Sequence, residues 1–236
     1  MTAAATAAPE LPLLVRRYLE RSLPPQLSRP QRVRISQHGQ MWQKPGRRAL
    51  SFTASQVLAV DRVGFSWRAR FPLVGPIAIK VVDAYADGLG ELEARVLGVR
   101  VMHQDGPETT AGEALRYLAE LPWVPFAILG NHELEWRELD GRRVEVATHL
   151  GTKRVAVALR FDQAGDVVTA FAERPYPVGR EWVPMGWTGE FGDYERLGGV
   201  RIPTAAEVRW ELPEGAFTYW RGAVDSLELD PGRGNR

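Results

Sequence analysis

Apolar residues along this chain recur first at helical spacing and then, for most of its length, at every second position. Leu11, Leu14, Val15, Tyr18 and Leu19 share one side of a 3.6-residue period while Arg16, Arg17, Glu20 and Arg21 hold the other. That pattern predicts an amphipathic helix with Pro12 near its first turn. Pro24 and Pro25 end it, because a residue before proline is pushed out of helical geometry. From there the period drops to two. Val33, Ile35, Gln37, Gly39 and Met41 alternate with their neighbours, as do Phe52, Ala54, Gln56 and Leu58, then Phe65, Trp67, Ala69 and Phe71, then Ile77, Ile79 and Val81. Asp87-Gly88 lies between Tyr85 and the alternating Leu92, Ala94 and Val96, which predicts a hairpin over residues 77–97.

One helix interrupts the strands. Thr110 and Glu113 have the spacing of a capping box ahead of Leu115, Leu118 and Ala119, so the helix is expected to start near Thr110 and to be stopped by Pro122 and Pro125. The alternation then returns. Asp140-Gly141 predicts a turn between the Leu134 region and Val144 and Val146; Val155, Val157, Leu159 and Phe161 line one face of the next strand, and residues 162–166 turn again. Val167, Thr169 and Phe171, then residues 187–194, then Val208, Trp210 and Leu212, then residues 217–229 complete the series, with Gly198-Gly199 as a further hairpin signal. Hairpins imply antiparallel pairing, and the succession of short strands excludes a doubly wound βαβ sheet. The expected fold class is α+β, mainly antiparallel β: a curved half-barrel sheet with an N-terminal helix and an inserted central helix packed on its concave face. Residues 10–229 are expected to form a single domain, with 1–9 and 230–236 as flexible termini.

Composition narrows the function classes. Of 236 residues 44% are hydrophobic and 25% charged, an ordinary globular balance that excludes wholesale disorder. The absence of cysteine excludes disulfides, thiolate metal sites and a thiol nucleophile. With 30 Lys+Arg against 29 Asp+Glu, the overall field gives no reason to expect nucleic acid or an anionic membrane as partner. No apolar run reaches the ~18 residues of a membrane span. Residues 1–9 lack the basic start and apolar run of a secretory signal, so a cytoplasmic location is expected.

Candidate chemistry is sparse. His132-Glu133 would need a second histidine four residues after the first to bind zinc from one helix face, but that position is Trp136; His149 is the other histidine near enough to complete a site across the Asp140-Gly141 turn. Exposed loop side chains are the plainer reading, and no metal is expected. No Gly-x-Ser-x-Gly surrounds Ser51, Ser55, Ser66 or Ser226, and the glycines of residues 186–192 have no helix behind them to bind a phosphate. No residue is therefore assigned to catalysis, and no cofactor is expected. Arg116 and Glu120 stand one helical turn apart and predict an ion pair. Arg68, Arg70 and Asp83 lie in strands, where burial would demand partners and the alternative is a solvated sheet face. Ala156 and Ala158, followed on the next strand by Val168, Ala170 and Ala172, leave room for a helix or a ligand close against the sheet.

Several strings extend this reading: LPLLVRRYLERSLP at 11–24, VRISQHGQM at 33–41, SFTASQVLAVDRVGFSWRAR at 51–70, VVDAYADGLGELEARVLG at 81–98, GEALRYLAELPWVPFAIL at 112–129 and GEFGDYERLGGVRIPTAAEVRWELPEGAFTYWRG at 189–222. Together they resemble a bacterial family of unknown function, DUF6544 (also DUF6920), which implies no activity. More distantly, the order of elements and the late Asp193-Tyr194 and 198–203 strings resemble the LolA/LppX-like lipoprotein-localisation fold. That resemblance implies a strongly curved, incomplete barrel whose helices plug the concave side over a hydrophobic cavity for acyl chains.

The expected function is therefore binding of a small hydrophobic or amphipathic, lipid-like molecule between helix and sheet. Phe52, Trp67, Leu115, Leu118, Trp123, Phe126, Ala156 and Ala158 are the expected wall, with Arg116 or Arg68 meeting a polar head. Nucleic acid is not an expected partner. Two alternatives remain open: an enzyme using a buried cluster of Glu120, Asp83 and Arg116, and an interaction module that adds a strand or docks an aromatic patch.

Overall fold

The computed structural model describes residues 11–26 and 28–232; the expected flexible residues 1–9 and the last four residues of the expected tail lie outside that range. After an N-terminal helix, α1 (Leu13–Ser22), six strands follow as a meander: β1 (Arg32–Met41), β2 (Leu50–Ala59), β3 (Phe65–Pro72), β4 (Ala78–Ala86), β5 (Leu89–Val96) and β6 (Val99–Gln104). A helical insertion comes next, with α2 (Pro107–Ala119), a 3-10 turn at Leu121–Trp123 and α3 (Pro125–Gly130). Seven strands complete the chain: β7 (Glu135–Asp140), β8 (Arg143–Leu150), β9 (Lys153–Phe161), β10 (Val167–Val178), β11 (Glu181–Leu197), β12 (Val200–Leu212) and β13 (Gly215–Asp230).

All thirteen strands form one antiparallel sheet in the order β6-β5-β4-β3-β2-β1-β13-β12-β11-β10-β9-β8-β7, curled into a half-barrel. The first and last strands meet at its centre, with Arg32 opposite Asp230 and Met41 opposite Trp220. The helical insertion starts from one edge strand, β6, and ends at the other, β7, so it crosses the concave side. Alternation dictates which side chains face it: Phe65, Trp67, Ala69 and Phe71 of β3 are buried, while Ser66, Arg68 and Arg70 between them face out.

The insertion departs from expectation in three ways. The central helix begins at Pro107, one turn before the expected Thr110, because Pro107 occupies a first-turn position where its missing N–H is no loss. Thr110 is thus inside the helix, and its hydroxyl accepts a bond from Gly90 N at 3.1 Å. The helix does end before Pro122, at Ala119, but Pro122 and Pro125 each also open a further turn, the 3-10 turn and α3. Strand β6 was not among the expected elements either.

Two polar contacts pin the insertion to the walls: Trp123 Nε1 donates to Pro203 O at 3.0 Å and Tyr117 Oη to Ala59 O at 2.9 Å. Tyr18 of α1 donates to Pro122 O at 3.0 Å and packs edge-on against Phe161 and Tyr194. Glycine also lets neighbouring backbones come close. A Cβ at Gly39 would lie 2.1 Å from Arg221 O and 2.8 Å from Gly222 Cα, across the seam between β1 and β13. Gly39→Ala is expected to destabilise the fold by roughly 1–3 kcal/mol through overpacking, read as a lowered Tm with an unchanged strand signature in circular dichroism.

Candidate functional site

The inside of the half-barrel is filled at one end and hollow at the other. Val33, Ile35, Leu58, Val60, Phe161, Val200, Ile202 and the helices form a packed core at the end where the chain enters β1. Toward the other end lies a cavity of about 510 Å³. Its walls are mainly apolar and aromatic, with Trp67 and Phe71 from β3, Trp187 and Phe191 from β11, Trp210 from β12 and Trp220 from β13. One α-helical face closes it: Gly112, Glu113, Arg116, Ala119 and Glu120 recur at helical spacing on α2 and line the cavity, while Ala114, Leu115 and Leu118 belong to the core.

That helical face is charged, and its charges are buried. Arg116 Nε donates to Glu120 Oε1 at 2.8 Å and its Nη1 to Asp83 Oδ2 of β4 at 2.5 Å. The guanidinium also lies over the rings of Phe65 and Trp67, 4.8 and 5.3 Å from their centroids. Burial opposes the charge on Arg116, but Glu120, Asp83 and Glu113 around it hold its pKa above the ordinary value. Arg174, from β10, donates to Glu113 Oε1 at 2.9 Å and lies 5.0 Å from the Trp187 ring. Gly112 makes room for it: a Cβ there would be 3.1 Å from Arg174 Nε. Gln56 Nε2 donates to the second oxygen of Glu120 at 2.5 Å, and Trp67 Nε1 to Gln37 Oε1 at 3.0 Å.

Three carboxyl groups and two guanidiniums leave one negative charge too many for a buried site. Glu113 resolves the imbalance. Burial, then the neighbouring Asp83, push its pKa up to about 8 against the opposing pull of Arg174 and Arg116. Both effects favour the protonated form of Glu113. Asp83 Oδ1 and Glu113 Oε2 have no other hydrogen-bond donor, and a proton held between the two carboxyls satisfies both.

The sequence candidates are distributed unevenly over this site. Trp67, Arg116 and Trp123 line the cavity, as do Asp83 and Glu120. Phe52, Leu118 and Phe126 are buried in the core behind the wall; Phe52 supports it by packing 5.6 Å from Trp67 and Phe71 and 5.8 Å from Trp220. Arg68 and Arg70 are exposed on the outer face, so neither meets the cavity. Ala156 and Ala158 also face away from it. The irregularity in the β9–β10 register between Val167 and Thr169 sets Leu159 opposite Ala170 and Ala158 opposite Phe171. Ala170 and Ala172 consequently belong to the core, whereas Ala156 and Ala158 border a separate, open depression with Leu115 and Phe171.

Glu113 and Arg174 were not among the candidates. Arg174 is legible in the sequence, since it continues the Ala170 and Ala172 face of its strand; Glu113 fits a cap that the helix start at Pro107 removes. His132 is exposed, Glu133 accepts the Val63 amide at 2.8 Å, and His149 pairs with Glu135 at 3.2 Å. Among the described residues, Glu91, Glu93 and His103 have donor atoms within 4.8 Å of one another, but Arg95 grips both Glu93 oxygens.

A curled antiparallel half-barrel with a helical plug over an apolar cavity defines the structural class. The chain belongs to the family of unknown function DUF6544, whose model matches residues 1–222. No functionally curated protein matches it. Among solved structures it is similar to a putative outer membrane lipoprotein-sorting protein domain from Vibrio parahaemolyticus, at 9% identity and a TM-score of 0.50 over 94% of this chain and 93% of that one. It is also similar to a LolA superfamily protein from Nitrosomonas europaea, at 8% identity and a TM-score of 0.48 over 93% of both chains.

The raised pKa of Glu113 fixes a pH dependence. A folded-state value above the unfolded one means that the folded protein holds the extra proton, so this contribution is complete below about 4.5 and is lost as pH rises through about 8. Glu113→Gln, which keeps the side chain neutral, is expected to raise Tm above wild type at pH 9 and to flatten the fall in Tm between pH 6 and pH 9. A variant that falls as steeply as wild type would place the titrating group elsewhere.

Proposed function

We propose that the cavity binds one small amphipathic, lipid-like molecule, its apolar part along the aromatic wall and its polar end toward α2. The observation that carries this reading is the pairing of an apolar hollow with a charge-balanced polar face on a single helix. A volume of about 510 Å³ falls in the range of small-molecule pockets, which characteristically combine apolar walls with a few convergent polar groups. Gln37 gives the polar end a partner: it lines the cavity, and its buried Nε2 has no acceptor. A hydroxyl or carbonyl oxygen on the ligand would satisfy it. The likeness in fold to a protein named for lipoprotein sorting supports an acyl-bearing ligand.

Catalysis by Glu120, Asp83 and Arg116 has less support. Arg116 bonds to both carboxylates, Gln56 takes the second oxygen of Glu120, and Glu113 neighbours the free oxygen of Asp83, so the three groups largely satisfy one another. A reactive base would need a free lone pair directed at substrate.

Native mass spectrometry of the purified protein, followed by solvent extraction, is expected to show one co-purifying hydrophobic molecule per chain. Ala206→Phe and Val81→Phe each add volume at the cavity wall. They are expected to reduce the ligand-bound fraction, and uptake of a fluorescent acyl probe, by about tenfold or more while Tm shifts by only a few degrees. A ligand-free mass together with no probe uptake would refute the proposal.

A further inference from the structure

The antiparallel order sorts the strand connections between two ends. Residues 42–49, 73–77, 97–98, 151–152, 179–180 and 213–214 turn at the hollow end, and 60–64, 87–88, 141–142, 162–166 and 198–199 at the packed end. A near-zero net charge hides what this sorting does. The hollow-end turns carry Lys44, Arg47, Arg48 and Arg180 against the single acid Glu214; the packed-end turns carry Asp61, Asp87, Asp162 and Asp166 against Arg62 and Arg142. The four hollow-end cations form no ion pair with any described residue.

The same end exposes aliphatic side chains. Val74 and Leu97 are 79% and 75% exposed at the tips of their turns, with Val99 beside Leu97 and Val178 beside the Arg180 turn. Leu97 also sits at φ 50°, a left-handed conformation that favours glycine or asparagine and is unfavourable for leucine. A strained, exposed leucine contributes nothing to the core. Trp182, part of the cavity lining, is itself 39% exposed at this end.

We propose that the hollow end docks on an anionic lipid bilayer, with Val74 and Leu97 entering the interface and Lys44, Arg47, Arg48 and Arg180 contacting the head groups. Unpaired cations around isolated aliphatic tips match the surface of such a bilayer, where polybasic segments and buried apolar side chains act together. An acidic protein would match the cations but not the aliphatic tips. Exposed Leu89 and Leu139 at the packed end adjoin Asp87 and Asp140, which the same bilayer would repel. Gln43, in one docking turn, and Trp182, next to another, both line the cavity, so a docked protein would hold that part of its wall against the bilayer. Docking concerns the outer turns and does not depend on what fills the cavity.

Flotation of the whole protein with phosphatidylcholine vesicles, with and without phosphatidylglycerol, tests this. Binding is expected with the anionic vesicles only, and added salt should weaken it. Arg47→Glu with Arg48→Glu should weaken it by roughly tenfold or more. Leu97→Asn with Val74→Asn should also reduce flotation, yet hold or raise Tm because asparagine tolerates the left-handed conformation at 97; Leu89→Asn should leave flotation unchanged. Ala206→Phe, which blocks the cavity, should still float, so failure of ligand binding and failure of docking read out separately. Absence of flotation at low salt, equal binding by the charge-reversed protein, or retention on polyglutamate that Leu97→Asn does not affect would overturn the proposal, the last in favour of an acidic protein partner.

Discussion

Arg116 cannot leave water alone, and the position of α2 follows from that. Its guanidinium needs carboxylates on more than one side, and they come from different elements: Glu120 from its own helix and Asp83 from β4, with the rings of Phe65 and Trp67 beneath. Arg174 ties the same helix to β10 on the other arm of the sheet through Glu113. The helix is thus tied to both arms of the half-barrel at a fixed rotation, with leucines toward the core and charges toward the hollow. Buried ion pairs add little net stability compared with apolar packing, but they penalise any other rotation of the helix. Here they prevent the plug from sinking farther in and filling the cavity with its own apolar side.

This arrangement explains what was legible in the sequence. Period-two alternation reports the inner strands, which face the interior on one side and water on the other, with Trp67 in and Arg68 out as the rule at work; β6, exposed along nearly its whole length, carries no such alternation and escapes it. The turn dipeptides Asp87-Gly88, Asp140-Gly141 and Gly198-Gly199 connect paired strands as expected, since their conformations are local. What failed were judgements that depend on register. Ala156 and Ala158 have the same local pattern as Ala170 and Ala172, but an irregularity at Val167 to Thr169 puts the two pairs on opposite faces. The capping signature at Glu113 is local, whereas its actual partners Asp83 and Arg174 lie 30 and 61 residues away. The prolines at 122 and 125 mark the end of α2 as expected, but the two short turns they also open are not legible, since proline both stops a helix and begins one.

The hollow end and the packed end perform different work. At the packed end apolar side chains and α1 supply the burial that holds the half-barrel together, with Asp166 kept ionised below its ordinary range, despite burial, by Arg201 and Arg21. At the hollow end the same sheet gives up packing and keeps aromatic rings around open space. A sheet with one sealed end tolerates that loss, since rings braced against one another, as Phe52 is against Trp67 and Trp220, do not need a filled interior to stay in place.

The meeting of β1 with β13 at the centre of the sheet also has a consequence during synthesis. The partner that completes β1 comes last in chain order among the strands of this sheet, and 198 residues of intervening chain separate Arg32 from Asp230. Until that strand emerges, the nascent sheet presents β1 as an open edge of ten residues, four of which alternate as Val33, Ile35, Gln37 and Gly39. Such an edge can recruit a foreign strand. Closure at the middle, rather than at the rim, makes the central seam the longest-range pairing in the sheet, the kind that topology makes slow to form.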